Sequence, residues 1–270
     1  MNTNHIESQF ATMGARFRAR IVPENRRSRS DYAMDIRRDR HGEFFELRVP
    51  GNLSDQLDVG VLQVRPRERH LLLLVRRDQP KRTLDRFLCG HDEREWFVAS
   101  VPGRVSSVAQ AMESLKPTEV QAAQAQAGLT ARQRHSRNNR AFRRQGEWFF
   151  IPAPGLNPDP KLIILRDEPI RRGSGKAHFV EMLYREGGTQ VYVCRQYPNG
   201  VLEAEYRRLV REDPSRGKWG WRRMQRDAAV YARGEIRHSD HRTITLPVWH
   251  RVLMNTETRS RTMRQVAFLD

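Results

Sequence analysis

Leu71-Leu72-Leu73-Leu74-Val75, Phe87-Leu88-Cys89-Gly90 and Trp96-Phe97-Val98-Ala99-Ser100-Val101 are three short apolar runs set apart by charged and Pro-containing segments. Runs of this length, so punctuated, predict strands. The first has no apolar–polar alternation, which predicts a strand covered on both faces. The other two flank Cys89-Gly90-His91-Asp92-Glu93-Arg94-Glu95, which reads as a strand–strand turn. Upstream, Glu43 to Val49, ending at Pro50-Gly51, and Val59 to Val64 read as two more strands. Downstream the period changes. Val105, Val108, Met112 and Leu115 fall on one face of a short helix that Pro117 terminates.

The middle of the chain carries two helix-start signatures. Thr118 with Gln121 and Thr130 with Gln133 each fit a capping box, followed by chain to Gly128 and to Gly146. The first segment has almost no large apolar residue and reads as a helical spacer. After it, strands return: Glu147 to Pro152, Leu162 to Leu165, Ala177 to Tyr184 and Thr189 to Tyr197. The last two flank Gly187-Gly188, a hairpin signal. Leu202, Tyr206, Leu209 and Val210 mark a helix. Val230 to Arg237 and Thr243 to Leu246 flank His238-Ser239-Asp240-His241, a second hairpin signal, and Trp249 to Asn255 reads as the last strand.

Strand pairs dominate and helices are intermittent, so the predicted class is α+β, mainly antiparallel sheet with a few short helices. The expected organisation has four parts. Residues 1–40, with Arg26-Arg27-Ser28-Arg29-Ser30, form a basic N-terminal arm. Residues 41–116 form an N-terminal α+β domain, 117–145 a helical linker and basic helix, and 146–270 a C-terminal α+β domain.

Of 49 basic residues, 44 are arginine, against 32 acids, for a net charge of +17. Codon bias alone can raise arginine over lysine, but it does not remove acids. A charge this positive concentrates polyanions around the protein, and guanidinium grips phosphate with paired hydrogen bonds or stacks on a base. The expected partner is therefore nucleic acid, RNA or DNA, with other protein subunits in a larger nucleoprotein assembly a further expectation. No apolar run reaches the length of a membrane span, the first residues lack the apolar stretch of a signal peptide, and no membrane partner is expected. Cys89 and Cys194 lie far apart and read as buried free thiols of a cytoplasmic protein.

Three stretches are candidate nucleic-acid contacts. Ala131 to Gln145 holds Arg132, Arg134, Arg137, Arg140, Arg143 and Arg144 with no acid; as a helix, it would put Arg137, Arg140, Arg143 and Arg144 on one broad face. Its alternative is a solvated helix, at the expense of six repelling charges. Lys218-Trp219-Gly220-Trp221-Arg222-Arg223 offers two indoles to stack on bases and cations to hold the backbone; its alternative is a loop pinned to the core by its tryptophans. Arg171, Arg172 and Lys176 bracket a glycine-rich loop whose spacing is not that of a Walker loop.

Candidate catalytic groups are His91, Asp92 and Glu93 at one turn and His238, Asp240 and His241 at another, the residue types a metal-dependent nuclease or phosphodiesterase requires. Turns also favour such residues for conformational reasons. No Cys-x-x-Cys or zinc-motif spacing is present, so no metal and no cofactor are expected. His178 and Glu181 are expected on opposite faces of their strand, and His250 as a satisfied core histidine. No nucleophile elbow, dinucleotide fingerprint or kinase motif occurs. The leading expectation is thus a binding protein. A nuclease, or an interaction protein with an acidic partner, is the alternative.

Overall fold

A computed structural model describes residues 3–23, 32–78, 82–158, 164–172 and 175–259. They fall into two compact units, one comprising the described residues up to Gln121 with the segment from Asn255, the other Ala122–Met254. The class is α+β with mostly antiparallel sheet.

The first unit contains α1 (Asn4–Thr12), β1 (Phe17–Val22), β2 (Ala33–Asp39), β3 (Gly42–Pro50), β4 (Leu57–Arg65), β5 (His70–Arg77), β6 (Thr83–Asp92), β7 (Glu95–Val101) and α2 (Val108–Ser114). Helix α3 (Thr118–Gln126) crosses the boundary. One sheet is ordered β1-β3-β2, with β1 parallel to β3, and the other runs β4-β5-β6-β7, all antiparallel. Leu71, Leu73 and Val75 of β5 enter one core with Phe10, Phe17 and Phe45, while Leu72 faces Leu88, Val101, Val108 and Ala111 in another. The missing alternation of β5 is therefore what two covered faces require.

Where they are described, residues 1–40 are folded structure and not an arm. Ile6, Phe10, Met13 and Phe17 look scattered in the sequence, but a helix followed by a strand gathers them into the core, with the Phe10 and Phe17 rings stacked at 4.8 Å. Asp39 holds Arg16 at 2.8 Å and Arg18 at 3.0 Å, so part of the expected arm's charge is bound internally. Arg26 to Ser30 lie outside the described residues. The segment from Asn255, expected with the second half, belongs to this unit. Thr256 N donates to Leu115 O at 3.0 Å, and Glu257 Oε1 accepts from Ser100 N at 3.0 Å, which satisfies backbone groups at the end of α2 and in β7.

The second unit contains α4 (Ala131–Arg134), β8 (Arg143–Gln145), β9 (Trp148–Pro152), β10 (Leu165–Ile170), β11 (His178–Glu186), β12 (Thr189–Val193), α5 (Glu203–Glu212), β13 (Arg222–Arg226), β14 (Ala229–Arg237) and β15 (Ile244–Met254). The large sheet is ordered β10-β11-β14-β15-β9-β8, and β12-β13 form a separate ribbon. Trp148, Phe150, Val180, Leu183, Ile236 and Val252 fill the sheet's core.

Three expectations change here. The predicted hairpin of Ala177–Tyr184 with Thr189–Tyr197 does not form: β11 lies between β10 and β14, and β12 pairs with β13. Gly187 and Gly188, at φ +66° and +87°, send the chain from one sheet into the other, and a Cβ on Gly188 would stand 2.9 Å from the Ala228 backbone. The runs Thr243–Leu246 and Trp249–Asn255 belong to one strand, β15, which absorbs Pro247 in a bulge between the pairs Gly234–Leu246 and Ala232–His250, where no ladder donor is needed. The first residues of the run expected at Leu162–Leu165 lie outside the described ones.

The third is the basic helix of Ala131–Gln145. Thr130 and Gln133 do make the capping box, but the helix ends after Arg134. Asn139 Oδ1 accepts from the backbone N–H groups of Ala141 and Phe142, at 2.9 and 3.0 Å, turning the chain into β8. A short amide side chain that satisfies its own backbone competes with helix. Phe142, packed against Phe149 at 5.3 Å, gains burial in the turned form. The six arginines therefore share no helical face.

Candidate functional site

The β14–β15 connection is a turn of polar residues, as the sequence implies, but its two histidines do not stand alone. The antiparallel register of β11 and β14 pairs Phe179 with Arg237, which carries His178 to the place opposite His238. The His178 and His238 rings stack at 4.1 Å, His238 and His241 at 4.6 Å, and His178 and His241 at 5.7 Å. One ligand nitrogen from each of the three lies within 4.8 Å of the others. His178 is buried, and the other two are partly exposed.

Gln145 at the end of β8 orients this group. Its Nε2 donates to Ile236 O at 3.1 Å and to Arg242 O at 2.8 Å, so its Oε1 faces His178 Nδ1 at 2.9 Å. Two carbonyls thus set which way the amide points. The amide in turn makes Nδ1 the donor and leaves Nε2 of a neutral His178 as a lone pair. That Nε2 stands 3.7 Å from Glu147 Oε2. Gly146 gives the rings room: at φ +57°, a Cβ there would lie 2.9 Å from His241 Nε2 and 3.2 Å from His178 Cε1.

Burial first, then the two neighbouring imidazoles, pushes His238 down to about 4 from its ordinary 6.5. Its Nδ1 accepts from Asp240 N at 3.1 Å. Burial disfavours the Glu147 carboxylate, but His178 and Arg172 outweigh that and hold it below its ordinary range. Asp240 is also lowered: burial opposes its charge, but the ion pair with Lys176 and the Ser239 hydroxyl prevail. Lys176, read from sequence as a phosphate contact, is thus engaged at the rim of the histidine cluster.

The other catalytic candidates belong elsewhere. His91 and Asp92 end β6, and Glu93 opens the tight β6–β7 turn at φ +53°. His91 meets the Trp96 ring edge-on at 4.9 Å, and Asp92 is buried. All three are in the first unit, whereas His238, Asp240 and His241 are in the second. His250 is buried, with Nδ1 2.7 Å from Val248 O, in keeping with a satisfied core histidine. His178 was missed as a cluster member because its partner depends on the β11–β14 register, which no local pattern encodes. Cys89 and Cys194 are buried and free.

The sequence-predicted nucleic-acid contacts divide. Arg132 and Arg140 are exposed, with no ion pair among the described residues. Arg134 is exposed and donates through Nε to Leu129 O at 3.1 Å. Arg143 donates to Thr245 O at 2.5 Å and Arg144 to Gly146 O at 3.2 Å, so both brace backbone. Arg137 is partly buried; burial and its neighbour Arg144 lower it to about 10, and it stays cationic at neutral pH. Arg171 is exposed and Arg172 half-buried.

Lys218 to Arg223 is the best organised of the basic stretches. Tyr197, Trp219 and Trp221 lie nearly parallel, at 17–22° to one another and with ring centres 5.6–6.3 Å apart. Tyr206 of α5 meets Trp221 edge-on at 5.1 Å and stacks on Tyr192 of β12 at 4.2 Å. Trp221 Nε1 donates to Arg216 O at 2.7 Å, which fixes that ring. All five rings are only half-buried, and Lys218, Arg222 and Arg223 beside them are exposed. The tryptophans therefore form a surface platform and are absent from the unit's main apolar core.

No family model, curated protein or solved structure matches this chain. Among the described residues, no helix is long and apolar enough to cross a membrane.

Proposed function

We propose that the protein binds single-stranded nucleic acid, RNA first, through the aromatic platform of Tyr197, Trp219 and Trp221 and the cations around it. The observation that carries this reading is the set of near-parallel, half-exposed rings beside exposed Lys218, Arg222 and Arg223. Every base has a π-face, so such rings accept bases without reading sequence, while the cations follow the phosphates. Arg132, Arg140 and Arg171 extend the basic surface, and the +17 charge supports attraction at a distance. The proposed setting is a reducing cytoplasm, which the two free cysteines support, with the protein working as a subunit of a nucleoprotein assembly.

The test is fluorescence anisotropy with labelled single-stranded RNA, single-stranded DNA and duplex DNA at low and physiological salt, with tryptophan emission read in parallel. Tight binding to single strands with quenching of tryptophan is expected. Absence of binding to all three at low salt overturns the reading. Binding without quenching moves the contact away from the platform.

A further inference from the structure

We propose that His178, His238 and His241 bind one divalent transition-metal ion of the Zn2+ class, with Gln145 orienting the first ligand and Glu147 beside it. This goes beyond nucleic-acid binding and depends on no part of it. Three features converge on the site. The first is the donor set itself: three imidazole nitrogens from two separate segments, β11 and the β14–β15 turn, within 4.8 Å of one another. Imidazole is a preferred donor for Zn2+.

The second is the fixed tautomer of His178. Its Nδ1–H is committed to Gln145 Oε1, and the Gln145 amide is committed to two backbone carbonyls. A ligating histidine commonly donates its other ring N–H in this way, which aims the lone pair and strengthens it. The third is the carboxylate. Glu147 Oε2 stands 3.7 Å from His178 Nε2 and places negative charge beside that nitrogen. A carboxylate there offsets the charge of an ion bound at Nε2 and itself offers an oxygen ligand. Gly146 completes the cradle, since a methyl group at that position would press on His241 Nε2 at 2.9 Å.

Ligation asks for a modest rearrangement. Zinc–nitrogen bonds of about 2.0–2.1 Å at tetrahedral angles place the nitrogens about 3.4 Å apart. The rings now stack within 25° of parallel, so they must turn to bring their lone pairs to one point. His238 must also release the N–H of Asp240, either to present Nδ1 to the ion or to carry its proton on Nδ1 while Nε2 binds. Three protein nitrogens leave a fourth position for Glu147 or water.

The test uses the full chain, stripped with chelator and titrated with Zn2+ alone by calorimetry. The expected result is one ion per chain, with affinity lowered in His241→Ala and in His238→Ala by more than the roughly 10- to 100-fold that loss of an outer-shell partner costs, and unchanged in His91→Ala. Thermal melts establish that each variant is folded. Co2+ provides a reading that needs no variant: the loaded wild type is expected to show visible bands of tetrahedral nitrogen ligation. The proposal is overturned if the wild type binds less than one equivalent of Zn2+, if folded His241→Ala keeps wild-type affinity, or if Co2+ gives only the spectrum of the free aqueous ion.

Discussion

At the scale of single residues, chemistry is set by what each side chain is held against. Trp219 is half-exposed, near-parallel to Tyr197 and Trp221, with the Arg216 guanidinium 5.8 Å from its ring centre. Base–aromatic stacking is worth about 1–3 kcal/mol per base. Trp219→Ala is therefore expected to weaken single-strand binding by roughly 5- to 150-fold, and Trp219→Phe by less, as read by anisotropy. Equal affinity in wild type and Trp219→Ala would remove this ring from the contact. His238 makes a prediction about pH. Its folded-state value, about 4, lies below the ordinary 6.5, so between these limits the unfolded chain binds more protons than the folded one. The stability contributed by neutral His238 is thus whole above about pH 6.5 and is lost as pH falls toward 4. With solvent screening at this partly exposed ring, the loss is about 1–2 kcal/mol. Metal-free wild type, melted in chelator, should lose stability over that range more steeply than His238→Gln. Parallel curves would show that the ring does not titrate as described.

At the scale of elements, β5 and the arginine-rich segment contrast. Leu72 is fully buried on one face of β5, while Leu71, Leu73 and Val75 are fully buried on the other. Leu72→Ala should destabilise the protein by about 2–5 kcal/mol in denaturant unfolding, because a strand held from both sides has little room to close the cavity. Arg140→Ala, on an exposed side chain, should stay within about 0.5 kcal/mol of wild type. A Leu72→Ala change below 1 kcal/mol would mean that the second face is not packed as described. The run Leu71–Val75 could be read directly because burial on both faces leaves a composition signal within the strand itself. The arginine-rich segment could not be read in the same way. Its capping box at Thr130 and Gln133 is a local signal and formed, but its length was decided by Asn139 turning the backbone and by Phe142 finding Phe149. The first is a geometric competition, and the second is a contact with another strand.

At the scale of the whole molecule, charge governs association. With a net charge of +17, binding to a polyanion should weaken steeply as salt rises, by about 0.9 in log affinity per log salt for each duplex phosphate neutralised and about 0.7 for single strands. Replacing both Arg222 and Arg223 with Ala should reduce that slope by about 1–2 if each touches phosphate. A slope near zero in the wild type would mean that the partner is not a phosphate backbone. Composition and periodicity by themselves determined the α+β class, the strands from Glu43 to Val101, the helix ended by Pro117, the turn at His238–His241 and the basic character. Each is a property of neighbouring residues, a two-residue or 3.6-residue period or a sum of charges, and needs no knowledge of distant contacts. Only the tertiary structure decided that residues 3–23 and 32–40 are folded, that β11 leaves β12 for β10 and β14, and that His178 joins His238 and His241. Those outcomes depend on strand order and register, which are settled by burial summed over partners far apart in the chain, so the histidine cluster came into view only once β11 and β14 were paired.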